Sequence, residues 1–155
     1  MPSTTSRPTA LRLAGSAAAV ATGMAISGCG VLAGLQGDVF QLKVGDCLAD
    51  ELTGGEITEA ATVECDRPHY GEVFASIVME DGDYPGDAAV SGRAEEECTS
   101  EFESFVGAPL ADSELEVFML HPSERTWNRI DDREILCIVH DPAGETTGSL
   151  SGAAR

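Results

Sequence analysis

The chain has 155 residues, with nine Lys or Arg against 27 Asp or Glu, a formal charge of −18 with neutral histidines. Such an excess of carboxylates excludes nucleic acid as a partner, because phosphate binding needs clustered Lys and Arg, and it repels an anionic lipid surface. What it favours is solubility and attraction to cationic ligands or surfaces.

In chain order, residues 1–28 come first: Arg7 and Arg12, then an uncharged Ala-rich run reaching Ile26. This is the order of a secretory signal. The run ends in Ile26-Ser27-Gly28-Cys29, which resembles the lipobox of bacterial lipoproteins. That resemblance implies cleavage before Cys29 and a palmitate-bearing lipid anchor on it. The competing reading is an uncut membrane span over residues 13–37, oriented by the two arginines, although Ala, Gly and Ser make a poor span. Either way the domain sits outside the cell, on the outer face of the cytoplasmic membrane. Loss of residues 1–28 removes two arginines and no acid, leaving seven basic residues against 27 acidic, a formal charge of −20.

Residues 29–38 are Gly-rich and read as a tether. The domain proper is expected over 39–140, opening with a strand at 39–44 that turns at Gly45-Asp46. A loop over 52–61 leads to a short strand at 62–65, stopped by Asp66-Arg67-Pro68. Residues 72–79, rich in β-branched and aromatic side chains, form the clearest strand. Between Asp87 and Gly107 the apolar residues Val90, Ala94, Cys98, Phe102 and Phe105 mark one helical stripe, with Asp87 as its cap. A strand over 115–120, a helical turn over 123–128 and a last strand over 133–140 follow. Residues 141–155 are Gly, Ser, Thr and Ala-rich, and a flexible tail is expected there. Together these elements predict an α+β fold: a small antiparallel sheet of about four to five strands packed against one main helix.

With Cys29 set aside, four cysteines remain, Cys47, Cys65, Cys98 and Cys137. An even number in an exported domain reads as two disulfides. Zinc is disfavoured by the lack of any C-x-x-C pair. Cys98 lies on the apolar stripe, so its partner belongs in the sheet. Cys98 with Cys137 and Cys47 with Cys65 fit best, while Cys47 with Cys98 or with Cys137 stays open.

Val44-Gly45-Asp46-Cys47, then Cys65-Asp66-Arg67-Pro68-His69 followed by Glu72-Val73-Phe74, a helical Cys98, and Pro122, Trp127 and Asp132-Arg133 before Cys137 together resemble the septum-formation family of actinobacterial envelope proteins. The resemblance spans residues 39–139 and implies an exported, non-catalytic domain with a link to division septa. Ile130-Asp131-Asp132-Arg133 stands where the family pattern has Gly-Asp-Arg, so the turn there is built differently.

His69 and Glu72, three apart, either meet to hold the loop or face a ligand together. Trp127 is either a core residue or a binding aromatic, and Asp132 with Arg133 an ion pair. The candidate binding set is therefore His69, Glu72, Trp127 and Arg133. Asp81-Gly82-Asp83 and Asp131-Asp132 offer hard oxygens for calcium but match no EF-hand loop. No catalytic spacing such as Gly-x-Ser-x-Gly occurs, and no enzyme activity, cofactor or resident metal is expected. The leading expectation is an interaction module meeting an envelope protein or wall component. The alternative is a module binding a small ligand or cation.

Overall fold

The computed structural model describes residues 35–54 and 57–155. Residues 1–28, Cys29 and most of the expected tether lie outside the described residues.

The most apolar run of the chain becomes β6 (Glu134–His140), a strand covered on both faces. Ile135, Cys137 and Val139 join a core with the main helix α1 (Asp87–Val106). Leu136 and Ile138 point the other way, into a second core with Val39, Leu42, Leu48, Ala60 and Val73. That double burial is why β6 reads as continuous hydrophobics rather than as an alternation. Around it runs a curled, wholly antiparallel sheet with strand order β1-β3-β2-β4-β6-β5. Its other members are β1 (Leu35–Asp38), β2 (Cys47–Leu48), β3 (Glu59–Val63), β4 (Gly71–Val78) and β5 (Glu116–Leu120). The α+β expectation of one main helix on an antiparallel sheet holds, with the strand count raised by the short β1 and β2.

The pairing of β4 with β6 slips between Val73 and Ala75. This bulge lets Phe74 and Ala75, neighbours in sequence, both face α1, while Val73 serves the second core. At the start of β4 the packing is so close that a Cβ on Gly71 would lie 2.9 Å from the Ile138 side chain at Cγ2 and 3.3 Å from the Val139 carbonyl oxygen, so any side chain there would force its neighbours to shift.

Helix α1 buries Val90, Ala94, Cys98, Phe102 and Val106, one residue per turn, and Phe105 is half-buried beside them. The expected cap is corrected: Gly86 holds the N-cap position, and Asp87 is the first helical residue, accepting the Tyr84 hydroxyl at 2.5 Å. Gly107, at φ +86°, closes the other end by returning its N–H to Glu103. The short α2 (Glu124–Ile130) opens with a capping box between Ser123 and Thr126, and Asp131 in the left-handed region ends it.

Two further expectations change. The strand expected over 39–44 is a 3-10 turn, Val39–Gln41, because the Asp38 carboxylate accepts the Phe40 N–H and pulls the backbone out of the extended state. Strand pairing falls instead on β1, inside the expected tether, and on β2.

The flexible tail over 141–155 is corrected as well, because that segment is a strap across the domain. His69 and Thr146 exchange backbone hydrogen bonds at 2.9 and 2.8 Å, and Gly148 N donates to Cys65 O at 2.7 Å. Leu150 is buried in the helix-side core, and Gly152 and Ala154 donate to the last carbonyls of α1 at Phe105 and Val106. Arg155 then reaches back to Asp141 at 2.8 Å. Small polar composition signals a loop, but a loop is ordered wherever buried partners await its backbone.

Both disulfides form as favoured. Cys98–Cys137 fixes α1 to β6, and Cys47–Cys65 ties β2 to the end of β3, with Cα separations of 5.5 and 5.3 Å.

Candidate functional site

The two residues that stand out most in the sequence, His69 and Glu72, are buried, and each bonds to the strap rather than to the other. His69 Nδ1 lies 2.8 Å from the Arg67 carbonyl, which can only accept, so Nδ1 carries the proton. Nε2 is then left facing the Thr146 hydroxyl at 3.3 Å. Glu72 accepts the Ser149 hydroxyl on Oε1 at 2.8 Å and the Leu150 N–H on Oε2 at 2.7 Å. Both side chains hold residues 146–150 down, and neither is presented to a ligand.

Glu72 also lies close to the sulfurs of Cys47 and Cys65, and this is the one cluster among the described residues whose donor atoms fall within 4.8 Å of one another. The sulfurs are bonded to each other. A disulfide supplies no thiolate, so the cluster does not have the donor set of a metal site.

Trp127 and Arg133 form a second unit. The indole is buried, donates from Nε1 to Gly82 O at 2.8 Å, and meets the Tyr84 ring edge-on at 5.6 Å. The Arg133 guanidinium covers the indole face at 3.9 Å from its centroid and donates to the carbonyls of Trp127 and Asp132 at 2.9 Å. Its Nε faces Asp81 at 3.3 Å in an ion pair without hydrogen-bond alignment, and Nη2 lies 3.8 Å from Asp131. The two acidic turns proposed as calcium ligands thus converge on a guanidinium, which meets their charge from within the chain. Burial, followed by the bond to Asp87, pushes the Tyr84 hydroxyl up to about 12.

The open space lies elsewhere. One recess of about 350 Å³ is floored by Leu48, Phe118 and Ile138 and rimmed by Glu51, Glu116 and His140. Asp141 borders it too, its carboxyl held below the ordinary 3.8 by the Ala143 N–H and by Arg155. A larger recess of about 520 Å³ runs between the β5 side, at Phe118 and Leu120, and the Val39, Phe40 and Ile57 side of the curl. Of its three hydroxyl residues, Ser123 and Thr126 are committed to the cap of α2. A third, of about 310 Å³, adjoins it and shares Phe40, Asp132 and Glu134. Of the four candidate residues only Arg133 borders any of these spaces. Phe40, Phe118 and Ile130 were missed because exposed or edge-strand apolar residues carry no motif. For Phe40 and Ile130 the one sequence signal is an apolar residue beside a turn or at a helix end, where a polar one is usual.

A family model described as septum formation matches residues 44–155. An uncharacterized membrane protein of Mycobacterium tuberculosis, found in strains CDC 1551 and H37Rv, is 29% identical over 108 residues, covering 63% of this chain and 24% of the relative. The chain therefore spans about a quarter of the curated relatives it matches. No solved structure matches. Among the described residues, no helix is long and apolar enough to cross a membrane.

Proposed function

The chain belongs to the septum-formation family, and from that premise we propose that it is a non-catalytic interaction module, held by lipid on Cys29 at the outer face of the cytoplasmic membrane, where it meets an envelope protein or wall component. The observation that carries this reading is the internal use of the polar residues. His69, Glu72, Trp127 and Arg133 are spent on the strap and on the acidic turns, while the open surfaces are floored by apolar side chains. Two disulfides support an oxidising compartment. The matched relatives are named as membrane proteins, which supports placement at a membrane. A role in septum formation rests on the family description alone.

Fractionation of cells producing the full chain tests the anchor. The expected result is a membrane-bound product whose amino-terminal peptide carries diacylglyceryl and acyl mass on Cys29, and its release by Cys29→Ala. A product cleaved before Cys29 that stays membrane-bound in the variant defeats the lipid anchor. Crosslinking in intact cells tests the module: a partner recovered reproducibly supports it, and a domain that crosslinks to nothing from any face opposes it. The larger recess favours one second reading, a small-ligand module. A thermal shift with a small apolar ligand, unaffected by partner proteins, would support that reading instead.

A further inference from the structure

Four large apolar side chains are exposed among the described residues, and three of them meet at one place. Phe40, Val78 and Ile130, exposed by 41%, 73% and 55%, all line the recess of about 310 Å³ at the end of the sheet where β4 stops and β6 begins. They come from three segments far apart in sequence, so no local pattern explains their meeting. Around them stand the carboxylates of Asp131, Asp132 and Glu134 against the single guanidinium of Arg133. Through Phe40, Asp132 and Glu134 this mouth continues into the larger apolar recess below Phe118 and Leu120. An apolar patch left open at a water-facing surface is a place for a partner.

We infer that this mouth docks a segment of a partner protein in which an apolar side chain is flanked by lysine or arginine. The inference rests on the interaction-module reading above and gives it a surface and a partner chemistry. The apolar residue would enter between Phe40, Val78 and Ile130, as anchor residues do. Its cationic neighbours would meet the carboxylate rim, which outnumbers its own guanidinium three to one. The same rim opposes insertion of the patch into an anionic bilayer. Position adds a further argument. Phe40 follows Cys29 by only 11 residues, which bounds their separation at roughly 40 Å. Lipid on Cys29 would thus hold Phe40 near the membrane, beside membrane-held partners.

The test uses the purified full chain, isotopically labelled, and an acetylated five-residue peptide alternating lysine and leucine. A counterpart with glutamate for lysine and neutral phosphatidylcholine vesicles serve as controls. The expected result is that the basic peptide shifts the amide signals of Phe40, Val78 and residues 130–134, and that the acidic peptide and the vesicles do not. Val78→Ser and Ile130→Ser, both at exposed positions and both without change of charge, should keep the melting temperature and weaken binding about tenfold, as loss of an anchor contact does. Salt near 0.5 M should weaken it by about threefold or more. Shifts scattered over the acidic surface, equal binding of both peptides, or no binding overturn the inference. Vesicle binding through Val78 and Ile130 overturns it in favour of a membrane-contacting patch. In each of these cases a partner crosslinked through another face leaves the interaction reading standing, whereas absence of crosslinks from every face removes that reading itself.

Discussion

Glu72 Oε2 accepts the backbone N–H of Leu150 at 2.7 Å, joining residues 78 apart in sequence. The carboxylate is buried beside a disulfide, and its other oxygen takes the Ser149 hydroxyl. This side chain joins the backbone bonds from Thr146, Gly148, Gly152 and Ala154 in tying the last 15 residues to the fold.

Removal of residues 141–155 should cost stability well beyond the loss of a loose tail, because it takes away both protein partners of the Glu72 carboxylate, the Thr146 partner of His69 Nε2 and the buried Leu150 side chain. Glu72→Ala should destabilise by about 2 to 4 kcal/mol, the range for breaking a buried, charge-assisted pair of hydrogen bonds. Urea unfolding measures both. An unchanged midpoint in the truncated chain would show that the strap adds nothing.

The two disulfides should differ in worth. Cys98–Cys137 spans 39 residues of sequence and Cys47–Cys65 spans 18, which corresponds in the chain-entropy picture to about 4 and about 3 kcal/mol. Paired alanine variants, Cys98→Ala with Cys137→Ala and Cys47→Ala with Cys65→Ala, compared by chemical denaturation, should rank in that order. Removal of the first pair also opens a gap between α1 and β6, which widens the difference.

Arg133 should stabilise Trp127 through its flat face and not only through its charge. Arg133→Lys keeps the charge and loses the stacked guanidinium with its bonds to two carbonyls, so it should cost about 1 to 2 kcal/mol. The lone Trp of the chain gives a clean readout: its emission should move to longer wavelength. Emission identical to that of the parent would place the indole's protection elsewhere.

Spectrophotometric titration should show Tyr84 ionising near 12 rather than near 10.0. Its folded pKa is raised, so the stabilisation it contributes is fully present below about 10 and fades as pH rises through about 12. Asp87→Asn replaces the charged acceptor with a neutral one, and should bring the midpoint part of the way down toward 10, burial being the larger cause. A midpoint that does not move would leave burial and the charge of Glu124 as the causes.

The strongest elements were legible because their signals are local. The stripe from Val90 through Phe102 forces a helix with one apolar face, and the β-branched run from Val73 to Val78 forces a strand, whatever else surrounds them. The even set of Cys47, Cys65, Cys98 and Cys137 also narrowed the covalent frame to a few pairings. Weak local preference was overruled. Residues 39–44 alternate like a strand, yet the single hydrogen bond from Phe40 N to Asp38 turned them. His69 and Glu72 were recognisable as special, but sequence spacing measures only which neighbours can meet along the chain. Their partners, Thr146, Ser149 and Leu150, lie 77 or 78 residues away. Sequence by itself determined the helix, the main strands, the acidity and the likeness of Cys29 to a lipidation site. Tertiary structure alone decided that the Gly- and Ser-rich end is a strap and that Phe40, Val78 and Ile130 share one mouth. A loop's order and a surface's composition depend on what distant segments bring to them.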